Sequence, residues 1–271
     1  MAKKKKKTEE EEEGDLEDMD ELDFEEDFEE EDFEDDSDIE EEIELLDLEA
    51  DLEEEEEKVI DKDEEKKQQF LSCGIHIGTK LLTGDFKEAG FVYRQTNYGL
   101  WIINLTETDE RIKIASNFLS KFIEKGSDKV IVSSVRRYGK EPVKKFCEVL
   151  GCRAIIDRFI PGSLTNPQID TYIKDASVVV IVDPHADKVI LREAQLARIP
   201  VVSLFDTDDS LDGIDLAIPA NNRGKKALGL AFYLLCRNIM LQTGQIASED
   251  EFPYTLEEFT SKIIPTYRQH Q

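Results

Sequence analysis

Five short runs rich in Val and Ile set the strongest limit on what this chain can fold into: KVIVSS (129–134), RAIID (153–157), SVVVIVD (177–183), PVVSLFD (200–206) and DLAIP (215–219). Their apolar residues are continuous rather than alternating. A strand with one face in water alternates; one covered on both faces does not. Amphipathic helices lie between or after several of these runs. In TETDERIKIASNFLSKFIEKG (106–126), Ile112, Ala115, Leu119 and Phe122 step by three and four, and Gly126 is the expected stop. In KEPVKKFCEVLG (140–151), Pro142 suits the first turn, Val143, Phe146, Cys147 and Leu150 form the buried stripe, and Gly151 ends it. A last helix near 222–242 carries Leu228, Ala231, Leu235 and Ile239 on one face. Strands alternating with helices imply βαβ crossovers and a mostly parallel sheet. FVYRQTNYGLWIINL (91–105) reads instead as a hairpin turning at Asn97 and Tyr98-Gly99. The expected fold class is α/β: one three-layer domain with a small β-hairpin.

Charge divides the chain. Residues 1–65 hold 38 Asp/Glu against 7 Lys, while residues 66–271 hold 25 Asp/Glu against 27 Lys/Arg. The whole-chain net charge of -29 therefore describes the first segment, and the remainder is nearly neutral. Ordering a residue costs roughly 1–2 kcal/mol of backbone entropy, which self-repelling acid with little apolar surface does not offset. The segment is expected to be a disordered, acidic, low-complexity tail. Phe24, Phe28 and Phe33 recur within it, so a basic partner that orders it on docking is the competing reading to a purely solvated tail. Its acid would repel RNA. The expected divisions are an acidic tail at 1–65, an α/β domain at 66–247 and a C-terminal tail at 248–271.

No run reaches the ~18 apolar residues of a membrane helix, and the basic start lacks the apolar core of a secretory signal. Cys73, Cys147, Cys152 and Cys236 contain no CxxC pair, so reduced, mostly buried thiols are expected, in keeping with a cytoplasmic protein.

A doubly wound sheet raises the question of nucleotide chemistry at the carboxyl ends of its strands. The first clear strand leads into Ser133-Ser134-Val135-Arg136-Arg137-Tyr138-Gly139-Lys140, which is neither GxGxxG nor GxxxxGK[ST]. Asp183 and Asp206 end strands, and FDTDDS adds Asp208 and Asp209. Carboxylates so placed could hold Mg²⁺ in a metal- or nucleotide-dependent enzyme; the plainer reading is that they cap turns. His76 and His185 lack an evident catalytic partner in the sequence. The expectation is a protein that is not an enzyme, with no cofactor and no metal.

Cations give the positive signal. Arg136, Arg137 and Lys140 cluster after one strand, with Lys144 and Lys145 behind them; Arg158 follows the next. Asn221-Asn222-Arg223-Gly224-Lys225-Lys226 opens the last helix, where backbone N–H groups favour phosphate. Lys80, Lys87 and Arg94 form a third group by the hairpin. Such clusters on a near-neutral body fit a local RNA-backbone footprint.

Six collinear motifs carry a family resemblance: QQFLSCGIHIGTK (68–80), YGLWIINLTETDERI (98–112), SSVRRYGKEPVKKF (133–146), RFIPGSLTNP (158–167), VVIVDPHADKVILREAQLARIPVVSLFDTD (179–208) and IPANNRGKKALGLAFYLL (218–235). Through them the chain resembles the universal small-subunit ribosomal protein two family, in its archaeal and eukaryotic form without the bacterial coiled-coil insertion. The resemblance implies a flavodoxin-like or Rossmann-like domain. It also implies a non-catalytic, cytoplasmic, ribosome-bound role with small-subunit rRNA and neighbouring ribosomal proteins as partners. Carried onto this chain, it places RNA contacts near His76, Lys80, Arg136, Arg137, Arg158 and the segment Arg223 to Lys226; Lys140 joins them from the cation cluster. The acidic tail departs from the family pattern.

Overall fold

A computed structural model of the chain describes residues 64–262. The acidic segment's expected disorder, apart from Glu64 and Glu65, falls outside the described residues. The described chain begins in helix α1 (64–73), followed by α2 (Gly84–Glu88), β1 (Val92–Gln95), β2 (Trp101–Ile103) and α3 (Leu105–Gly126). Then come β3 (Val130–Ser133), α4 (Lys140–Leu150), β4 (Arg153–Ile155), β5 (Val178–Ile181) and α5 (Lys188–Ala197). The last elements are β6 (Val201–Phe205), β7 (Leu216–Pro219), α6 (Lys225–Gln242) and α7 (Leu256–Phe259).

All five Val/Ile runs are strands of one sheet, in the order β4-β3-β5-β6-β7 with every neighbouring pair parallel. Numbered along the chain, that is the 2-1-3-4-5 order of a flavodoxin-like sheet. Successive side chains enter opposite layers, as the pleat requires. Val130, Val132, Val178, Val180, Val182, Val202, Leu204 and Ile218 face the core shared with α3, α4 and α6. Ile131, Val179, Ile181 and Val201 face a second core with Ile190 and Ala194 of α5.

Local signals work as read. Gly151 takes the left-handed conformation at φ 72° and returns the Cys152 N–H to the Cys147 carbonyl at 3.1 Å, closing α4. Asn104 caps α3 by accepting the Thr106 N–H at 3.2 Å. The hairpin is β1 paired antiparallel with β2.

Strict strand–helix alternation fails twice, and in each case something else covers the sheet. Between β4 and β5 no helix forms; Phe159, Leu164 and Ile173 of the connecting loop pack beside α5 instead. Glu193, buried on α5, holds that loop by accepting the N–H groups of Gly162 and Leu164. Between β6 and β7 the link is only Asp206 to Asp215. The sheet there is covered by Phe86 of α2, Phe91 and Ile103, which pack on Phe205 and Ala217. The Phe86 and Phe205 rings stack at 5.3 Å, and Phe91 meets Phe86 edge-on at 5.5 Å. The hairpin thus serves as a missing helical layer.

Residues 248–262 pack against the body. Phe252 and Phe259 meet Tyr233 of α6, and Lys145 of α4 bonds Glu258 at 2.9 Å while lying 4.5 Å from the Tyr254 ring centre. Among the described residues no helix is long and apolar enough to cross a membrane.

Candidate nucleic-acid interface at the strand ends

Because the sheet is wholly parallel, all five strands deliver their following residues to one edge. These are 134–140, 156–158, 182–187, 206–209 and 220–226. Residues 75–80 join them: Asn221 donates its N–H to the Ile75 carbonyl at 2.9 Å, and Thr79 donates its N–H to Thr207 Oγ1 at 2.8 Å. Topology therefore gathers His76, Lys80, Arg136, Arg137, Lys140, Arg158, Arg223, Lys225 and Lys226 along one side of the molecule.

Beneath these cations lies a layer of buried acid. Asp183 is fully enclosed; its Oδ1 accepts the N–H groups of His185 (2.8 Å) and Ala186 (3.1 Å), and its Oδ2 takes the Arg136 guanidinium. Asp187 accepts the Val135 N–H at 3.2 Å and the Ser133 hydroxyl at 3.4 Å. Asp206 accepts the Thr207 N–H at 2.7 Å. One oxygen of Asp209 accepts both the Asp206 N–H (2.9 Å) and the Asn222 amide (2.7 Å), while its other oxygen, enclosed as well, has no hydrogen-bond partner.

Burial dominates the titration of this layer. It pushes the Asp187 carboxyl up to about 7, with the Asp183 charge adding to it and the Val135 N–H, Ser133 and Arg136 opposing. Burial likewise raises Asp206 to about 6, against the Thr207 N–H. Asp209 rises to about 7 by burial and by the charges of Asp183, Asp208 and Asp206, with the Asp206 N–H opposing.

The acid sorts the cations into two groups. Arg136 is held by Asp183, Arg223 by Asp208, and Lys140 by Asp157 at 2.9 Å. Arg137, Arg158, Lys80 and Lys226 are exposed and make no ion pair among the described residues, and Lys225 is half-buried. His76 is half-buried, and burial lowers its pKa against the opposing influence of the Phe70 backbone. Asn221 Oδ1 accepts the N–H groups of Arg223 and Gly224, both at 2.9 Å, and among the described residues no side chain caps the N-terminus of α6.

Asp183 and Asp206, the ligands of the metal-enzyme alternative, hold turns and an arginine. Among the described residues no group of three or more His, Cys, Asp or Glu is arranged as a metal site. Of the buried partners, Asp187 is absent from the sequence-based candidates, while Asp209 and Asn222 figured there as a possible metal carboxylate and as part of the segment opening the last helix, not as buried partners. Their only sequence signals were the four-residue step from Asp183 to Asp187 and the acid run in FDTDDS.

Comparison with known proteins adds a family. The model for ribosomal protein S2 matches residues 70–177 and 167–241. The chain belongs to the ribosomal protein S2 family. Among its S2 relatives, the "Small ribosomal subunit protein uS2" of Staphylothermus marinus is 43% identical over 196 residues, covering 72% of this chain and 86% of the relative. The proteins of the same name from Pyrobaculum neutrophilum and Pyrobaculum arsenaticum are 39% and 37% identical, each over 73% of this chain and 94% of the relative. The S2 match spans the whole sheet and most of α6; the residues before 70 and after 241 lie outside it.

Proposed function

We propose that this chain is a structural constituent of the small ribosomal subunit that lays its strand-end edge against small-subunit rRNA. The observation that carries the reading is the convergence of Lys80, Arg137, Arg158 and Lys226 on one edge, exposed and without ion pairs among the described residues. Beside them, the α6 N-terminus offers uncapped amides to phosphate. The names of the archaeal relatives support the ribosomal role. The buried carboxylates support it indirectly. They hold Arg136 and shape the loops, and half-buried Asp208 holds Arg223, which leaves recognition to phosphate and backbone contacts rather than to a reacting group. In this reading the protein is not an enzyme, acts in the cytoplasm on the ribosome, and meets neighbouring small-subunit proteins.

The test is co-sedimentation with small subunits across a salt series. Arg137→Glu with Lys226→Glu is expected to lower subunit occupancy and weaken its salt dependence, since each lost phosphate contact removes released counterions. Unchanged occupancy at every salt concentration refutes the edge as the RNA-facing side.

A further inference from the structure

We infer that the β1–β2 hairpin is a stacking platform for unpaired RNA bases, with Tyr93 and Tyr98 as its rings. The inference rests on the RNA-facing reading above and adds a second kind of contact to it.

Two large aromatic side chains stand out from the surface of this small hairpin: Tyr98 is 86% exposed and Tyr93 68%. Neither phenol makes a hydrogen bond among the described residues, so no polar partner explains their placement. The backbone presents both deliberately. The pairing slips between Val92 and Arg94, opposite Ile103 and Ile102, so Tyr93 occupies a bulge; such irregularities re-aim a side chain out of the pleat. Tyr98 sits in the turn, followed by Gly99 at φ 80°, a conformation that glycine adopts without strain. The turn is pinned rather than loose: Thr96 donates its N–H to the Leu100 carbonyl at 2.8 Å, and Leu100 donates back to Thr96 Oγ1 at 3.1 Å. From below, Phe91 and Ile103 anchor the hairpin on Phe205. Rings held on a rigid support lose little freedom when a base stacks on them.

Charge selects the partner. From Ala89 to Thr106 there is no Asp or Glu, in a chain that holds 63 of them. Arg94 is exposed, with its guanidinium carbon 5.8 Å from the Tyr93 ring centre. Across the hairpin, residues 77–79 pair with β2 through the Ile77–Ile102 bridge and reciprocal bonds of 2.9 Å between Trp101 and Gly78 and Thr79. That pairing brings exposed Lys80 alongside. It also joins the hairpin to the strand-end edge, because Thr79 is bonded to Thr207. A strand whose phosphates follow the cationic edge would carry its unpaired bases onto the two rings. An acid-free segment with exposed aromatics and flanking cations has the makeup of single-strand recognition.

The test measures binding of the full chain to a fluorescent 12-nucleotide oligoadenylate and to a 12-base-pair RNA duplex. Tyr93→Ala with Tyr98→Ala is expected to weaken the single strand about tenfold per ring, about 1.4 kcal/mol each, and to leave the duplex unchanged. Tyr93→Phe with Tyr98→Phe retains the ring and is expected to keep the original affinity. Both side chains are exposed, so neither pair of changes disturbs the fold. If the alanine pair binds the single strand as the parent does, or loses both RNAs equally, the platform is wrong. If it binds RNA normally but is lost from assembled subunits, the hairpin faces protein and the inference also fails. Arg137→Glu with Lys226→Glu separates the two proposals, because it is expected to weaken single strand and duplex alike. That result alongside unaffected tyrosine variants overturns the platform while sparing the strand-end reading.

Discussion

Replacing Asp209 by Asn should stabilise this protein, and the gain should depend on pH. Asp209 is buried and raised from about 4 in the unfolded chain to about 7 in the fold, first by burial and then by the charges of Asp183, Asp208 and Asp206. The sign follows directly. Below pH ~4 the carboxyl is protonated in both states and contributes no difference. Between ~4 and ~7 the unfolded chain releases the proton while the fold retains it, so stability falls by about 1.4 kcal/mol per pH unit. Above ~7 the cost levels at roughly 4 kcal/mol, an upper bound because the neighbouring carboxylates titrate with it. Asn avoids this cost and keeps the contacts, since a single Asp209 oxygen accepts both the Asp206 N–H and the Asn222 amide. The Asn N–H₂ then occupies the place of the oxygen that has no partner. From pH 5.5 to pH 8 the advantage of the variant should grow by about 2 kcal/mol, or roughly 4–8 °C in Tm for a body of this size. Urea unfolding followed by the fluorescence of Trp101, the only tryptophan, measures it; a chelator in the buffer keeps divalent cations out of the comparison. A variant less stable than its parent at pH 8, or one offset equally at both pH values, would refute the reasoning.

Other consequences are open to the same unfolding assay. Arg136→Gln removes the cation from fully buried Asp183 and should cost about 3–5 kcal/mol, whereas Arg137→Gln at the exposed neighbouring position should stay within about 0.5 kcal/mol; equal effects would dissolve the distinction between the two arginines. Phe205→Ala takes away the surface on which the hairpin rests and should cost about 3–5 kcal/mol, and an effect below 1 kcal/mol would mean that the aromatic cluster does not anchor it. Gly139→Ala drives a methyl group into the Ser134 hydroxyl and 3.2 Å from Val182, so about 1–3 kcal/mol of destabilisation is expected; a neutral result would show that the turn before α4 yields easily.

Much of the fold was legible because its signals are local. A strand covered on both faces must be apolar throughout, so the five Val/Ile runs could be recognised without knowing what covers them. The hairpin turn and the glycine stop of α4 are equally local. Helices α1, α2 and α5, and the two connections without a helix, were harder. The loop after β4 is shaped by distant Glu193, and the link after β6 is covered by residues more than a hundred positions earlier. The candidate site divides the same way. That the cations share an edge follows from parallel strands. That Arg136 and Arg223 are occupied while Arg137 and Lys226 face water depends on carboxylates whose enclosure only the tertiary structure creates. An aspartate after a strand reads the same in sequence whether it is in solvent or enclosed.

The position of α6 in the chain has a consequence for biosynthesis. This helix supplies eleven buried residues, from Ala227 to Met240, to the layer that also contains α3 and α4. Among the described residues it is the last long helix to be translated. Until it emerges, the side of a nearly complete sheet that it shares with α3 and α4 is only partly covered, so a nascent chain stalled before residue 225 is an adhesive half-body rather than a smaller stable protein. Closure of the main core is therefore a late event, sealed when Phe252 and Phe259 settle on Tyr233.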